Sequence, residues 1–238
     1  MITTLVFVHS PLLGPTTWQL VAEILRSQGF HTIVPSLRGV LETGPPYYEK
    51  LAAAVTRALK KSELVGPVII VAHSGAGSVL PAITAAAPVP VIAALFVDAV
   101  LPHPGTSEMA TVPRQMRKKI EKSAISGWLP PWNDWFPGEI LVSLIPNHDL
   151  RDRFIREISK VPLAFFEERA PIVDSWAGVH CAYLQLSTRY EADADEARNR
   201  GWVVHRLSSN HLAMITQPLE VAEAINLMIR QRIAAMPE

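Results

Sequence analysis

One ten-residue segment, VIIVAHSGAG at positions 68–77, constrains the fold of this chain more than any other. Its five leading apolar residues predict a strand buried on both faces, because a strand with one face in water alternates between apolar and polar residues. Ser74 follows in a tight turn, with small residues, Ala72 and Ala76, two positions away on either side. Small flanks are needed where a serine is held at a strained backbone angle between a strand and a helix. The segment therefore predicts a nucleophilic serine, with simple helix capping as the alternative role for Ser74.

The rest of the chain repeats this alternation of apolar strands and helical patterns. Strands are predicted over residues 3–8, 31–34, 67–72, 91–97, 182–186 and 202–207, and helices over residues 17–27, 48–60, 77–87, 194–200 and 219–234. Strands that are apolar at every position suit a parallel sheet covered by helices on both faces. We predict one α/β domain with a mostly parallel central sheet flanked by helices.

The alternation stops between residues 104 and 179, where prolines punctuate short helical pieces. This segment carries eight of the 17 aromatic side chains in under a third of the chain. We interpret it as an inserted helical cap (104–179), so that the α/β core comprises residues 1–103 and 180–238. Some of its rings must form the small core of the cap itself, but the loop at 127–136 carries more rings than that core can bury.

Composition and charge exclude several classes of protein. The 238 residues carry 22 basic and 22 acidic side chains, a balance that argues against a dedicated nucleic-acid binder. The single cysteine excludes a disulfide framework, and no Cys/His cluster has the spacing of a structural zinc site. No dinucleotide fingerprint, P-loop or metal motif occurs in the sequence, so we expect no metal and no cofactor.

The sequence also has no clear targeting or membrane signal. No Lys or Arg precedes the apolar stretch within residues 1–10, which makes this stretch a poor signal peptide. The longest apolar run, residues 85–97, is shorter than the roughly 20 residues that a membrane-spanning helix needs. We expect a soluble, cytoplasmic protein that does not bind membranes. The sequence leaves its oligomeric state open.

Four motifs carry a resemblance to the α/β-hydrolase superfamily over almost the whole chain. LVFVHS at 5–10 resembles the strand of that family that ends in His-Gly, and PSLRG at 35–39 resembles its P-D-L-R-G turn. AHSGAG at 72–77 resembles the nucleophile elbow, and Asn210-His211 resembles the late Gly-His pair that carries the catalytic base. The size and the insertion are most similar to the compact esterase and hydroxynitrile-lyase branch. The resemblance implies an α/β-hydrolase fold with an inserted cap and a triad in the order Ser, acid, His.

The acid of this triad has two candidate positions. Asp98 directly ends a buried strand, where an unpaired carboxylate would be costly and therefore needs a partner such as the catalytic base. Most members of the family carry the acid after the later strand, where this chain offers Glu191 or Asp193. The matching position itself holds Arg189 or Tyr190, so these carboxylates come late. We favour Asp98, with Glu191 as the alternative.

The oxyanion hole departs from the pattern of the family. One donor is available, the N–H of Gly75, which follows the serine. The position of the second donor falls on Pro11, which has no N–H. The Ser10 hydroxyl could replace it, the N–H of Leu12 could turn in, or the chemistry could develop no full oxyanion. Losing one such donor costs a serine hydrolase about 2.7–4 kcal/mol.

The Pro-stiffened loop at 127–136 supplies the candidate walls of a pocket. We predict that one or two of its rings lie above Ser74, which favours an apolar, aromatic or cyclic substrate. The candidate pocket residues are Pro11, His73, Trp128, Trp132, Trp135 and Phe136.

These features lead to one functional prediction and two alternatives. We predict a serine-dependent, carboxylesterase-like hydrolase in which Ser74 attacks a small apolar ester or acyl compound and His211 moves the proton. Pro11 and the open choice of acid motivate a non-hydrolytic alternative, a lyase or a C–C bond-cleaving enzyme. The third possibility is a weakly catalytic small-molecule binding protein or receptor that retains the pocket.

Overall fold

The structure, a computed structural model, describes residues 4–64 and 66–234 of the 238-residue chain. The first predicted strand begins at Thr3, which lies outside the described residues. The strands are β1 (Thr4–Val8), β2 (His31–Ile33), β3 (Val68–Ser74), β4 (Val91–Ala99), β5 (Trp128–Leu129), β6 (Val161–Pro162), β7 (His180–Gln185) and β8 (Val203–Arg206). Within the described residues, six of them form one parallel sheet in the order β2-β1-β3-β4-β7-β8.

Helices cover both faces of this sheet. They are α1 (Thr16–Ser27), α2 (Tyr47–Lys61), α3 (Leu80–Ala86), α4 (Glu108–Thr111), α5 (Arg114–Ser123), α6 (Gly138–Leu144), α7 (His148–Glu157), α8 (Leu163–Glu167), α9 (Glu191–Asn199), α10 (Ala213–Thr216) and α11 (Pro218–Ala234). The predicted fold class is therefore confirmed. The predicted elements of the α/β part match observed ones, with ends that differ by no more than three residues.

One of the two largest differences lies directly after Ser74; the other is the start of α9, at 191 instead of 194. The helix predicted from position 77 begins instead with a 3-10 turn, Gly75–Val79, and becomes α-helical only at Leu80. The 3-10 turn starts at the residue after the serine, so the chain passes from strand to helix without an intervening loop residue.

Alternate side chains of the central strands enter two separate apolar layers. In β1, Leu5 and Phe7 pack with residues of α1 and α11, whereas Val6 and Val8 pack with residues of α2 and α3. All four side chains are fully buried. This explains why the strands are apolar at every position: both faces of the sheet are covered, so no face demands polar residues.

The parallel arrangement brings the carboxyl ends of the strands to one edge of the sheet. Ser74 ends β3 and Asp98 lies near the end of β4, while the segments after β7 and β8 follow at the same edge. Ligands of open α/β sheets bind at this edge, because the loops that connect strand to helix meet there.

The segment between β4 and β7 consists of helices α4 to α8 and the small antiparallel sheet of β5 and β6. Two of its glutamates reach the core. Glu157 accepts the backbone N–H of Thr16, the first residue of α1, at 2.7 Å. Glu168 accepts the N–H groups of Tyr47 and Tyr48 at the start of α2, at 2.9 and 3.0 Å. Both α1 and α2 follow a proline that provides no side-chain cap, so Glu157 and Glu168 supply the missing acceptors.

None of the helices in the described part of the chain is both long and apolar enough to cross a membrane.

Candidate active site

Ser74 sits on a strained turn at the end of β3. Its backbone has φ 57° and ψ −130°, the positive φ that the small-residue pattern predicts. Ala72 and Ala76 are completely buried on either side of it. A Cβ added to Gly77 would overlap the carbonyl oxygen of Val100, which shows how closely the turn packs against β4. The small residues thus permit a conformation that presents the serine hydroxyl at the sheet edge.

Asp98 occupies an irregularity in β4. In the pairing of β3 with β4, His73 lies opposite Val97 and Ser74 lies opposite Ala99, so Asp98 is left without a partner. Its φ is 43°, an uncommon value for a residue that is not glycine. Extra residues of this kind re-aim a side chain. In a regular strand, the Asp98 side chain would point to one face of the sheet. The irregular pairing instead allows it to reach His211.

Four hydrogen bonds satisfy the Asp98 carboxylate, which is fully buried. Oδ1 accepts the N–H of Leu186 at 2.7 Å and the N–H of Ser187 at 3.0 Å. Oδ2 accepts the Ser187 hydroxyl at 2.5 Å and lies 2.9 Å from His211 Nδ1. These donors give both buried carboxylate oxygens hydrogen-bond partners, which offsets the cost of removing them from water.

His211 lies between β8 and α10, on the loop that the sequence predicts, and its side chain is 17% exposed. Since Nδ1 faces the Asp98 carboxylate, the neutral ring carries its proton there and Nε2 keeps a free lone pair. Asn210 holds the loop: its Oδ1 accepts the N–H of Leu212 at 2.9 Å and its Nδ2 donates to Thr216 at 3.0 Å. An imidazole oriented in this way can act as a general base.

The hydrogen bond of the Ser74 hydroxyl goes to a residue that the sequence reading did not assign to the site. Ser74 Oγ lies 3.2 Å from Tyr190 Oη. The Tyr190 ring stacks on His211, with 4.9 Å between centroids and 12° between planes. Among the described residues no hydrogen bond joins Ser74 Oγ to His211, although Tyr190 contacts both side chains.

His73 contacts the loop that carries His211. Its Nε2 donates to the carbonyl oxygen of His211 at 3.0 Å, and the two rings lie 4.4 Å apart. The His73 ring also packs nearly perpendicular to Trp18, with 6.1 Å between the ring centroids. Burial, together with the nearby His211, holds the pKa of His73 well below its usual range. The structure places this fully buried, neutral ring beneath His211, not on an open pocket wall.

The candidate oxyanion donors Gly75, Ser10 and Leu12 lie close to one another. A Cβ built on Gly75 would be 3.4 Å from Ser10 Oγ and 3.7 Å from Pro11 Cδ. The N–H of Leu12 points to Ser10 Oγ at 3.4 Å. Ser10 Oγ therefore serves as an acceptor for Leu12 and retains its own proton, which makes it the available side-chain donor beside Gly75.

His9 fixes the backbone of this segment. Its Nε2 accepts the N–H of Leu37 at 3.1 Å, so Nδ1 carries the proton that it donates to the Ser10 carbonyl oxygen at 2.8 Å. Complete burial, and secondarily the positive charge of Arg38, lower the pKa of His9 to about 4. A neutral imidazole thus links the loop after β1 to the turn at Leu37.

Of the four candidate rings in the loop at 127–136, Trp132 is the one that contacts His211. Trp132 lies 6.4 Å from His211 between ring centroids. Phe136 packs edge-on against Trp132 at 4.7 Å, one layer further out. Trp135 is 41% exposed and donates its indole N–H to Pro130, away from the site. Trp128 lies in β5, paired with Pro162.

In the loop after β7, the residues that reach the candidate site are not the carboxylates considered in the sequence analysis. Glu191, the alternative acid, begins α9 on an exposed turn, and Asp193 accepts the N–H of Leu101 at 3.2 Å. Ser187 and Tyr190 of the same loop reach Asp98 and Ser74 instead. Their position directly after a predicted strand was the one signal that could have pointed to them. Serine and tyrosine are common in such loops, so no sequence motif marks them.

In the described ranges, 4–64 and 66–234, no group of three or more His, Cys, Asp or Glu side chains is placed to hold a metal ion.

The family model of the alpha/beta hydrolase family matches residues 5–224. This chain belongs to the alpha/beta hydrolase family. The match includes the elbow, Asp98 and His211. No curated protein matches the chain in sequence.

Solved structures of other α/β hydrolases share the fold along nearly the whole chain. An extracellular α/β-hydrolase from a Paenibacillus species, described as sharing structural and functional homology with tobacco salicylic acid binding protein 2, is 18% identical, with TM-score 0.74 over 94% of this chain and 97% of its own. A pyrethroid hydrolase from Sphingobium faniae JZ-2 is 16% identical, with TM-score 0.69 over 95% and 96%. Tomato methylketone synthase I is 13% identical, with TM-score 0.68 over 97% and 99%. At these identities the similarity shows the fold alone.

Proposed function

We propose that this α/β hydrolase is a serine esterase that cleaves a small apolar ester or related acyl compound through Ser74, His211 and Asp98. The observation that carries the proposal is the 2.9 Å contact between Asp98 Oδ2 and His211 Nδ1, at the sheet edge where Ser74 sits at positive φ. An oriented imidazole beside a serine on an elbow is the arrangement that activates a hydroxyl for attack on a carbonyl.

In acylation, the Ser74 hydroxyl turns from Tyr190 toward His211 Nε2, which takes its proton as Oγ bonds to the carbonyl carbon. Asp98 holds the Nδ1–H side of the ring and stabilises the imidazolium that forms. The carbonyl oxygen gains negative charge and accepts the N–H of Gly75 and the hydroxyl of Ser10. When the bond to the alcohol breaks, His211 returns the proton to the leaving oxygen, and water later releases the acid by the same route.

The Ser10 hydroxyl takes the place of a backbone donor that Pro11 cannot supply. Its distance of 3.4 Å from a Cβ position on Gly75 supports this assignment, because it places the hydroxyl beside the residue that carries the backbone donor. A hydroxyl is less rigid than a backbone N–H, so we expect Ser10 to provide less stabilisation than the usual pair of amides.

The expected substrate is small and mostly apolar. Trp132 is the ring of the insertion that lies beside His211, with Phe136 packed behind it. A flat apolar wall at this place suits an acyl or alcohol group of aromatic or cyclic shape. The structural similarity to a pyrethroid hydrolase and to polyneuridine aldehyde esterase, at 16% and 14% identity, agrees with an ester-cleaving reaction without naming the ester.

Pro11 also favours a second candidate, a reaction that develops no full oxyanion, such as cleavage of a C–C bond or elimination. Its buried ring lies beside Gly75, with Cδ 3.7 Å from a Cβ position there, and it offers no N–H. In that case His211 acts as base toward the substrate and Ser74 binds it without becoming acylated. A binding protein with little turnover would leave Ser74 equally unmodified.

Labelling with a fluorophosphonate, measured by intact mass, separates these functions. The esterase proposal predicts one label per chain in the wild type and none in Ser74→Ala, together with hydrolysis of p-nitrophenyl acetate. A folded wild-type protein that takes no label contradicts the proposal. Labelling without turnover of any acetate ester points to the second candidate or to a binding protein.

A further inference from the structure

Tyr190 contacts both reacting side chains of the candidate site. It ends the short 3-10 turn Thr188–Tyr190 after β7, and its side chain is buried, with 8% of the residue exposed. Its hydroxyl oxygen lies 3.2 Å from Ser74 Oγ. Its ring lies nearly parallel to the His211 imidazole, at 12° and 4.9 Å. The stacking fixes the ring plane, so the position of the hydroxyl follows from the packing and not from a free rotation.

The tyrosine hydroxyl keeps its proton at neutral pH. Burial is the main cause that raises the pKa of Tyr190 to about 12, and the nearby carboxylates of Asp98 and Glu108 act in the same direction. A phenol is a better hydrogen-bond donor than an aliphatic hydroxyl, since its proton is more acidic. In the contact with Ser74, Tyr190 Oη–H is therefore the favoured donor and Ser74 Oγ the acceptor.

We propose that Tyr190 is a further catalytic residue, whose hydroxyl donates a hydrogen bond to Ser74 Oγ in the free enzyme and to the leaving-group oxygen of the ester during acylation. This inference rests on the proposed esterase function. The carbonyl oxygen is bound on the side of Gly75 and Ser10, whereas the leaving oxygen must lie at His211, where it receives its proton. A donor that stacks on His211 and reaches the serine oxygen lies beside that leaving oxygen.

The step balances without any change in Tyr190. The Oγ–C bond forms as the proton of Ser74 passes to His211 Nε2 and the carbonyl electron pair moves to oxygen. As this pair returns, the C–O bond to the alcohol breaks and its electrons go to the leaving oxygen. That oxygen takes the proton from His211. Tyr190 holds the developing negative charge through its hydrogen bond and retains its proton throughout.

Because Asp98 is the partner of His211, the loop after β7 does not have to supply the acid, and Tyr190 on this loop can contact Ser74. Asp98 lies on β4, and Ser187 of the loop after β7 donates to it. The same loop then places Tyr190 three residues later against Ser74 and His211. A carboxylate on this loop would compete with Asp98 for His211; a neutral phenol instead adds a donor.

The same contact has an opposite interpretation that can be tested. If Tyr190 only held Ser74 away from His211 in the resting enzyme, removal of the hydroxyl would free the nucleophile and raise the rate. A donor to the leaving oxygen predicts a fall in rate, and a larger fall where the leaving alcohol is a poor one. The direction of the rate change in a variant without the hydroxyl, and its dependence on the leaving alcohol, therefore distinguish these two roles of Tyr190.

The test compares Tyr190→Phe with the wild type on two acetate esters. Phenylalanine keeps the ring that stacks on His211 and removes only the hydroxyl. We expect kcat/KM to fall about 10-fold for p-nitrophenyl acetate and about 100-fold for benzyl acetate, the range that one hydrogen bond to a charged group spans. Most of the fall should be in kcat. Tyr47→Phe, which removes a hydroxyl from a ring packed on Phe165, is the matched control and should leave both rates unchanged.

Equal falls on both esters, no fall, or a rise in Tyr190→Phe overturns the inference while leaving the esterase function intact. A wild type that neither hydrolyses these esters nor takes the fluorophosphonate label overturns the esterase function, and this inference with it. Should Tyr190→Phe fail to fold, 3-fluorotyrosine at position 190 provides the second variant. It keeps the ring and strengthens the donor, so turnover of benzyl acetate at or above the wild-type rate is expected, and a tenfold fall would contradict a donor role.

Discussion

The carboxylate of Glu168 completes the first turn of a core helix by accepting the backbone N–H of Tyr47 at 2.9 Å and that of the next residue at 3.0 Å. The helix α2 follows Pro46 and has no side-chain cap of its own. A residue more than a hundred positions away, in the segment between β4 and β7, thus satisfies donors that the helix cannot satisfy locally. The negative charge also lies at the favourable end of the helix dipole. Stability of the core and position of the insertion are coupled through this contact.

Replacing this carboxylate should destabilise the folded chain. We expect Glu168→Ala to lower the free energy of unfolding by about 1–2 kcal/mol, the usual cost of losing a helix cap. Urea unfolding at pH 7 measures the change. The neighbouring Glu167→Ala is the matched control, since the Glu167 side chain is exposed. Equal effects of the two substitutions would show that the contact at α2 contributes nothing.

Asp98→Asn should nearly abolish nucleophilic activity while keeping the shape of the site. An amide at this place favours the wrong imidazole tautomer, because its NH2 group can donate to Nδ1 and Nε2 then carries the proton. A similar substitution in a serine protease triad lowers the rate by about 10⁴-fold, and we expect a fall of about 10³- to 10⁴-fold here. The second-order rate of fluorophosphonate labelling gives the number. Glu191→Gln, on an exposed turn, should label at the wild-type rate; the reverse pattern would assign the acid to Glu191.

Gly77→Ala should destabilise the elbow strongly. The added Cβ would overlap the carbonyl oxygen of Val100 and press on Phe96 and Ala99, all of them parts of a packed strand or its end. Backbone that cannot move aside makes overpacking cost about 1–3 kcal/mol or more. Gly138→Ala is the control, because a Cβ there meets nothing within 4 Å. Thermal unfolding of the two variants compares them, and a Gly77→Ala protein as stable as Gly138→Ala would contradict the close approach.

The buried His9 predicts a loss of stability in mild acid. Its pKa is about 4 in the folded state, against an ordinary value near 6.5 in the unfolded chain. Between pH 4 and 6.5 only the unfolded chain binds a proton at His9. The free energy of unfolding is therefore unaffected by His9 above pH 6.5 and falls as the pH drops toward 4. The free energy of unfolding falls by about 1.4 kcal/mol per pH unit in this range, and the total loss from His9 is about 3 kcal/mol.

His9→Gln isolates this contribution. The variant should be less stable at pH 7, where it loses the bonds to Leu37 and Ser10, but its free energy of unfolding should fall less steeply between pH 6.5 and 4.5. Glu108, whose pKa burial raises to about 7, shifts stability in the opposite direction, and it is present in both proteins. Urea titrations at several pH values provide the comparison; parallel slopes would show that His9 is protonated in the folded state.

Much of the fold and part of the site could be predicted from local pattern. The run 68–72 is apolar because both faces of the sheet are covered, and small residues flank Ser74 because its backbone leaves no room for larger ones. These constraints act within a few residues, so they are visible in one sequence. His211 was reachable in the same way, since it follows a strand and precedes a helix.

The partner of His211 depended on contacts across the sheet. Asp98 and His211 are 113 positions apart, and the irregular pairing of β3 with β4 decides where the carboxylate points. A local pattern shows that a carboxylate ends a buried strand, but not which way the strand turns it. The same holds for Ser187 and Tyr190, whose hydroxyl groups gained a role only when β7 was placed beside β4.

The sequence by itself determined the layered α/β architecture and the strained serine, because both follow from short-range sterics and from which residues must avoid water. Only the tertiary structure decided which carboxylate meets His211, that Tyr190 contacts Ser74, and that Trp132 rather than Trp135 lies beside His211. These are pairings between distant segments. They depend on strand register, on one bulge and on the packing of the insertion, and their energies are shared among contacts that no single segment contains.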